Sequence, residues 1–249
     1  MREEPRLRVA VFRPADERIE NAVELLESLG ADPVPDPMLE VHPTGATPAD
    51  AEYVVLTSKT GVELAAEAGW QPGAATLVAI GSSTAEAMRE AGYDVDIVPE
   101  EYTSAGLVEA MAGQVDDATV EVARSDHGSP VLLDGLDAAG ADVHETVLYE
   151  LVRPGAAGES VELAADGKLD AVLFTSSLTV EHFLDIAEER AIRDAVLEGL
   201  DDAIVGVIGD PTSKTAEAAG LSVDVVPETI GFESLAAEVV ERAAPTHFE

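Results

Sequence analysis

The chain has 249 residues and a formal net charge of −36 at pH 7, because 14 Lys and Arg stand against 50 Asp and Glu. A field of this sign repels nucleic acid and anionic lipid, so neither is expected as a general partner. Cysteine is absent, which excludes disulfides, thiolate metal sites and cysteine nucleophiles.

The acidity does not indicate disorder. Hydrophobic residues make up 46% of the chain, which is enough for a buried core. Acidic residues are dispersed along the sequence, a pattern that favours adaptation to a salty cytoplasm, where high ionic strength screens the repulsion. We therefore expect the fold to loosen at low salt.

Short apolar runs alternate with helical patterns along the chain. The first run, RVAVF, ends at Phe12 and precedes ENAVELLESLG, which Gly30 closes as a helix C-cap. The later runs are YVVLT, TLVAIG, DVDIV, TVEVA, ETVLYELV, DAVLF, AIVGVIG and SVDVV, and a helical pattern follows most of them. This alternation predicts an α/β fold with parallel sheets and right-handed crossovers.

Long segments of the sequence occur twice in the same order. AEYVVLTSKTGVELAAEAG matches LDAVLFTSSLTVEHFLDIA, and VAIGSSTAEAMREAGYDVDIVPE matches GVIGDPTSKTAEAAGLSVDVVPE. The second copy carries an extra helical stretch at about residues 189–199. Repeats of this length predict two similar lobes rather than a solenoid.

The lobes need not be contiguous in the sequence. We place one lobe at residues 45–145 and form the other from residues 1–38 with 151–249. The Pro-rich segment ADPVPDPMLEVHPTGATPAD and the extended ADVHETVLYELVRPG would then cross between them, with hinge strands at 39–44 and 146–150.

Candidate binding residues cluster in the loops that end the strands, where ligands bind in open parallel sheets. These loops hold an unusual share of the few basic residues, namely Arg13, Lys59, Arg124 and Lys214. They also hold Ser58, Ser82, Ser83, Thr84, Ser125, Ser176, Ser177, Thr212 and Ser213. Exposed N–H groups at helix N-termini favour anions, so the pattern predicts a cleft that binds a polyanion. For any single Ser or Thr, a plain helix N-cap is the competing interpretation.

Other familiar sites are missing from the sequence. There is no G-x-G-x-x-G after the first strand, no P-loop, no nucleophile elbow and no metal-ligand spacing among the histidines. Tyr149 lies in the predicted return strand. It is either a half-buried strand aromatic or a phenol that faces the cleft and donates a proton.

The chain resembles the uroporphyrinogen-III synthase family of tetrapyrrole and heme biosynthesis over nearly its whole length. The resemblance rests on VFRP, VVLTSKTGVE, VAIGSSTAEAMREAGYDV, VARSDHG, GADVHETVLY, VLFTSSLTVEHF and VIGDPTSKTAEAAGL, in this order and spacing. It implies two α/β lobes joined by a two-stranded β ladder. The family motif after FTS usually continues with Pro, where this chain has Ser177.

The resemblance also implies a function. The enzyme would cyclise hydroxymethylbilane, a linear tetrapyrrole rich in carboxylates, to uroporphyrinogen III with inversion of the last pyrrole ring and loss of water, without a cofactor. The family's tyrosine matches Tyr149, its early arginine matches Arg13, and its loop residues match Ser58, Thr84, Ser176 and Thr212.

Two alternatives remain at this point. One is a non-enzymatic, two-lobed protein that binds or senses a small anion, and the other is a flavodoxin-like flavin binder. The opening residues, MREEPRLRVAVFRPADE, contain no long apolar segment, so we expect neither a signal peptide nor a membrane span and predict a cytoplasmic protein. Since no interface signal stands out, we expect a monomer.

Overall fold

The computed structural model describes residues 6–244, which fold into two compact units. The inserted unit comprises Val41–Leu151, and the discontinuous unit comprises the described residues up to Glu40 and from Val152 onward. The first five residues of the predicted N-terminal segment, and the last five of the predicted discontinuous lobe, lie outside the described residues.

Strands and helices alternate through most of the chain. In chain order they are β1 (Arg8–Val11), α1 (Glu17–Ser28), β2 (Asp32–Pro35), β3 (Glu40–Pro43), β4 (Tyr53–Leu56), α2 (Lys59–Glu67), β5 (Thr76–Ala79), α3 (Ser82–Glu90), α4 (Ser104–Met111), β6 (Thr119–Ser125), α5 (Pro130–Ala138), β7 (Asp142–Val152), α6 (Glu159–Ala165), β8 (Ala171–Phe174), α7 (Ser177–Glu189), α8 (Arg193–Leu200), β9 (Ile204–Val207), α9 (Asp210–Ala218) and α10 (Phe232–Ala243).

Each unit is built on its own sheet. The discontinuous unit has four strands in the order β2-β1-β8-β9, and the inserted unit has five in the order β3-β7-β6-β4-β5. The pairings β1–β2, β1–β8 and β8–β9 are parallel, as are β4–β5, β4–β6 and β6–β7. The predicted α/β class, with parallel sheets flanked by helices, is confirmed.

The strands of the discontinuous unit are buried on both faces, which explains their almost wholly apolar sequences. Ala10 and Phe12 point into a cluster with residues of α6 to α9, while Val9 and Val11 point into a second cluster with α1 and α10. Phe12 stacks on Phe174, with ring centroids 4.8 Å apart. The core therefore fixes the carboxyl end of β1, from which Arg13 follows.

The inserted unit repeats this arrangement. Helices α2 and α3 cover one face of its sheet, where Val62 and Met88 are buried, and helices α4 and α5 cover the other, where Leu107 and Leu136 are buried. Two core clusters thus hold the carboxyl ends of β4, β5 and β6, where the candidate site lies.

Two predicted strands are each reduced to a single bridge. In place of a strand over DVDIV, Ile97 alone bridges to Val78, and in place of a strand over SVDVV, Val225 alone bridges to Gly206. The Asp96 carboxylate accepts a hydrogen bond from the Leu77 N–H, and a proline follows two residues after each bridge. Because proline has no N–H to donate and the Asp side chain replaces a backbone acceptor, pairing stops after one residue.

The four strands of the discontinuous unit correspond to four of the five strands of the inserted unit, and β3 has no counterpart. The order β2-β1-β8-β9 matches β7-β6-β4-β5, so β1 in the discontinuous unit takes the place that β6 takes in the inserted unit. The registers agree, since Val9 pairs with Ala171 and Val120 pairs with Tyr53. No helix in the described part of the chain is long and apolar enough to cross a membrane.

Candidate functional site

The candidate site is a cavity of about 210 Å³ at the carboxyl ends of the strands of the inserted unit. Four residues expected from the sequence line it together, namely Ser58, Arg124, Ser125 and Tyr149. The other lining residues are Thr57, Ile80, Ser104, Gly128, Ser129 and Leu132. Larger surface cavities of about 430 and 590 Å³ lie elsewhere, and no residue expected from the sequence lines them.

Tyr149 and Ser58, which both line this cavity, are joined by a hydrogen bond. The Tyr149 hydroxyl donates to Ser58 Oγ at 2.9 Å, and Ser58 Oγ also accepts from the Gly61 N–H at 3.0 Å as the N-cap of α2. Both lone pairs of the serine oxygen are occupied in this way. Its own proton is therefore left to donate to a ligand.

The phenol is held by packing as well as by this hydrogen bond. Tyr149 is only 6% exposed and packs in the cluster with Leu148 and Val62. Gly61 lies against the pair, since a β-carbon there would meet Ser58 Oγ at 3.1 Å. A larger residue at this position would push the serine, so the glycine sets the distance between helix and strand.

A shift in strand pairing brings Tyr149 into position. Between Arg124 and Ser125 the pairing of β6 with β7 slips, so that Ser125 lies opposite Tyr149. The slip is fixed by Asp126, whose N–H donates to the Tyr149 carbonyl at 3.2 Å and whose carboxylate accepts from the Leu151 N–H at 3.0 Å. Irregular pairing of this kind re-aims a side chain at the end of a strand.

The Asp126 carboxylate stays ionised with the help of its donors. Burial raises its pKa, but the hydrogen bond from the His127 ring and the bond from the Leu151 N–H outweigh burial, so that the pKa lies below its usual value. His127 Nδ1 lies 2.8 Å from Asp126 Oδ1. His127 thus supports this loop through Asp126.

Arg124 is a buried arginine with a carboxylate partner. Its Nε donates to Glu145 Oε1 at 2.6 Å, and its Nη1 donates to the Ser129 carbonyl at 2.6 Å. A β-carbon on Gly128 would lie 2.4 Å from Arg124 Cδ, so this glycine lies directly against the arginine. Arg124 braces the loop that follows β6 and lines the cavity, while Glu145 offsets its charge.

The remaining predicted residues of the inserted unit lie at the starts of two helices. Lys59 is exposed at the first turn of α2 and pairs with Glu63 at 3.5 Å. Ser82 and Ser83 are exposed in the first turn of α3, Thr84 is 2% exposed, and Gly81 is the N-cap without a side-chain hydrogen bond. A plain N-cap role is thus found at Ser58 but not at the predicted residues of α3.

In the discontinuous unit the predicted residues again follow the strands. Ser176 caps α7 in a capping box with Thr179. Ser177 Oγ donates to the Pro211 carbonyl at 3.2 Å, which ties α7 to α9, where Thr212 is 3% exposed and Lys214 is exposed. Thr212 and Ser213 lie inside the first turn of α9, whose N-cap is Gly209.

Arg13 follows β1 and is half-buried. Its guanidinium carbon lies 5.1 Å from the centroid of the Phe232 ring. Burial, and after it the charge of Arg18, lowers its pKa from the usual arginine value.

Several residues of these sites were not expected from the sequence. Glu145, Ser129 and Gly128 hold Arg124, and Phe232 lies under Arg13. Gly128 directly follows the motif ARSDH, which could have indicated a close approach of backbone to the preceding arginine. Glu145 and Phe232 carry no local signal, because their contacts depend on strand pairing and helix packing.

Comparisons with known proteins agree on one family. A family model described as uroporphyrinogen-III synthase HemD matches residues 20–237. The chain is 37% identical over 237 residues to a putative uroporphyrinogen-III synthase of Methanothermobacter thermautotrophicus, covering 88% of this chain and 92% of that protein. It is 25% identical over 231 residues to a putative uroporphyrinogen-III synthase of Archaeoglobus fulgidus, covering 92% and 96%.

Solved structures show the same fold. The crystal structure of a mutant uroporphyrinogen III synthase from Thermus thermophilus matches with a TM-score of 0.69 at 21% identity, covering 95% of this chain and 98% of that one. A uroporphyrinogen-III synthetase from Helicobacter pylori matches with a TM-score of 0.62 at 16% identity, covering 95% and 99%.

Proposed function

Since the chain belongs to the uroporphyrinogen-III synthase family, we propose that it cyclises hydroxymethylbilane to uroporphyrinogen III, with inversion of the last pyrrole ring and loss of water. The observation in the structure that carries this proposal is the hydrogen bond between Tyr149 and Ser58, in a cavity that Arg124 also lines. The cavity therefore contains a weak acid, the Tyr149 hydroxyl, beside hydrogen-bond donors, and it lies at the strand ends, where ligands bind in parallel sheets.

The reaction requires only weak acid–base catalysis from the enzyme. The hydroxymethyl group takes up a proton and leaves as water, and the azafulvene-like cation that remains is attacked by the α-carbon of the last pyrrole that already carries a methylene bridge. The bond from that carbon to the bridge then breaks and re-forms at the other α-carbon of the same pyrrole, which loses its proton, so that the ring ends up inverted. A strong base is unnecessary, and no metal or redox cofactor enters the balance. The enzyme must instead hold a flexible chain so that the unusual carbon attacks, which is catalysis by positioning.

Tyr149 and Ser58 fit the departure of the hydroxyl group. Ser58 donates its free proton to the leaving oxygen and takes the proton of the Tyr149 hydroxyl, which already donates to Ser58 Oγ. The negative charge then lies on the Tyr149 oxygen, and the proton released by the pyrrole at ring closure restores the hydroxyl. Tyr149 thus acts either through Ser58 or, after rotation of its hydroxyl, directly on the leaving oxygen.

The substrate carboxylates are assigned to the loops after the strands. The proposed binding residues are Arg13, Ser58, Lys59, Ser82, Ser83, Thr84, Arg124, Ser125, Ser176, Ser177, Thr212 and Lys214. Support comes from their position beside strand ends and helix N-termini in both units, where N–H groups and basic side chains favour anions. We further propose that a two-stranded β ladder joins two lobes as a hinge and that the protein acts as a monomer.

The product isomer tests the function. We expect purified protein, supplied with hydroxymethylbilane at high salt, to yield uroporphyrinogen III, separable by chromatography from the uninverted isomer that forms spontaneously. Appearance of the uninverted isomer alone would contradict the proposal. The non-enzymatic anion-binding alternative has no support from the comparisons.

A further inference from the structure

Arg13 and Arg124 occupy equivalent positions in the two units. Both belong to the strand that lies second in the matched strand orders: Arg13 lies two residues beyond the end of β1, and Arg124 is the last residue but one of the longer strand β6. The registers put Val9 and Val120 in the same place, and four residues later each chain segment has its arginine. The two arginines can therefore be compared as one position in two environments.

Their partners differ in a way that matters for charge. Arg124 is fixed by the Glu145 carboxylate and a backbone carbonyl, so its charge is offset inside the protein. Arg13 lies over the Phe232 ring, and its Nε is buried without a hydrogen-bond partner among residues 6–244. The carboxylate nearest in sequence, Asp16, attracts the Arg13 charge from a distance, but its hydrogen bonds come from the Arg18 Nε at 3.0 Å and the Arg18 N–H at 2.9 Å.

An aromatic ring can hold an arginine without neutralising it. The ring face attracts the guanidinium through its quadrupole and carries no net charge, whereas a carboxylate partner cancels the field that an anion would feel. A buried Nε without a hydrogen-bond partner is costly in a folded protein, and a charge kept in this way is explained if a ligand uses it.

From this contrast we propose that Phe232 is a positioning residue, which holds the Arg13 guanidinium at the carboxyl end of β1 so that the charge of Arg13 stays available for a substrate carboxylate. Phe232 does for Arg13 what Glu145 does for Arg124, but without the opposing charge. The inference rests on the proposed function, because the anion is taken to be a carboxylate of the linear tetrapyrrole.

Substitutions at Phe232 test the role of the ring. Phe232→Leu keeps an apolar side chain but removes the aromatic face, and we expect the KM for hydroxymethylbilane to rise about fivefold, the size of a typical cation–π contribution. The kcat should stay within about twofold, because Phe232 does not contact the reacting atoms. Phe232→Tyr keeps the ring and should restore the wild-type KM. An unchanged KM in Phe232→Leu would overturn the proposal.

A double-mutant cycle separates positioning from general damage to the fold. If Phe232 acts through Arg13, the variant Arg13→Gln with Phe232→Leu should have the same KM as Arg13→Gln alone, whereas independent effects would multiply and overturn the inference. Phe232→Glu gives a second route if the leucine variant unfolds. It places a carboxylate beside Arg13 and should raise KM more than Phe232→Leu does, and a KM equal to the wild-type value would count against the proposal.

The product isomer and the response of KM to Phe232 distinguish the proposed function from the role of Phe232. If the wild-type protein forms only the uninverted isomer, the proposed function is wrong. If the wild type forms uroporphyrinogen III but its KM does not respond to Phe232, the function stands and this inference is wrong.

Discussion

Tyr149 and Ser58 are 91 positions apart in the chain, and yet their hydroxyl oxygens lie 2.9 Å apart. The contact requires that Ser58 caps α2 and that the pairing of β6 with β7 slips at Ser125. A second buried tyrosine provides a contrast, because the Tyr93 hydroxyl donates to the Trp70 carbonyl at 3.0 Å and Tyr93 does not line the candidate site. The same residue type thus serves packing in one place and, as we propose, chemistry in the other.

Replacement of Tyr149 by Phe tests the chemical role. The ring packing stays, but the hydroxyl that supports Ser58 is lost, so we expect kcat to fall by about 10²-fold, with little change in product binding. The measurement is steady-state turnover of hydroxymethylbilane with separate titration of the product. Tyr93→Phe is the matched control and should lose about 1 kcal/mol of stability while keeping its turnover. Unchanged turnover in Tyr149→Phe would remove this hydroxyl from the mechanism.

The Asp126 carboxylate makes the site loop sensitive to acid. Its pKa is lowered in the folded protein, so its contribution to stability is present above the unfolded-state pKa of about 3.9 and disappears as the pH falls through the lower folded-state value. We expect Asp126→Asn to be less stable than wild type at neutral pH, with a difference that shrinks below about pH 4. Urea unfolding at several pH values measures this, and a pH-independent difference would contradict it.

Glycines set the spacing between neighbouring elements. In α8, Gly199 lies against the backbone of α6, since a β-carbon there would come 1.9 Å from the Ala164 carbonyl oxygen. In α5, Gly135 lies against α4, but the atom that a β-carbon would meet at 2.6 Å belongs to the Val108 side chain. A backbone atom cannot move aside as a side chain can. We therefore expect Gly199 to tolerate substitution by a larger residue less well than Gly135 does.

Alanine at these two positions tests this difference. Both glycines lie in helices, so alanine gives a similar gain in helix propensity at each position. The difference in stability between the two variants then depends on the contact that the added β-carbon makes. We expect Gly199→Ala to destabilise the protein by about 1–3 kcal/mol and Gly135→Ala to cost less. Thermal unfolding of both variants shows which is less stable. Equal stabilities would contradict the prediction and show that α6 and α8 separate easily.

At the scale of the whole molecule, repulsion among the many carboxylates is the main electrostatic influence on stability. The net charge of −36 belongs mainly to exposed side chains, and the ion pairs that Arg153 and Arg190 make with Glu189 and Glu162 are largely at the surface. Surface pairs of this kind contribute little each, so the repulsion among the remaining carboxylates is not removed by pairing. Screening by salt has to offset it.

Stability should therefore increase with salt. Raising KCl from about 0.1 M to about 1 M shortens the Debye length from about 10 Å to about 3 Å, and we expect the unfolding midpoint to rise by roughly 10 °C. In a protein whose charges are mostly paired, the unfolding midpoint would rise less, because salt also screens the attractions between opposite charges. Sucrose at matched osmolarity is the control for excluded-volume effects. A midpoint that is the same at both salt concentrations would contradict the screening argument.

Periodicity and composition were enough to predict the fold class. Runs such as RVAVF and DAVLF are apolar at nearly every position because both faces of their strands are buried, and helices follow them in alternation. The strands predicted over DVDIV and SVDVV were wrong in extent, because Asp96 and Asp224 carboxylates take backbone N–H groups and shorten the pairing to one residue. Local β-propensity does not register that competition.

By itself the sequence determined the α/β class, the family and the loops in which polar and basic residues gather, because these follow from local patterns and from order along the chain. Only the tertiary structure decided which of those residues meet. It joined Tyr149 to Ser58 through a slipped strand pair, and it gave Arg124 a carboxylate and Arg13 an aromatic ring. The physical reason is that hydrogen bonds and cation–π contacts act over a few ångströms, and such distances between remote residues exist only once sheet register and helix packing are formed.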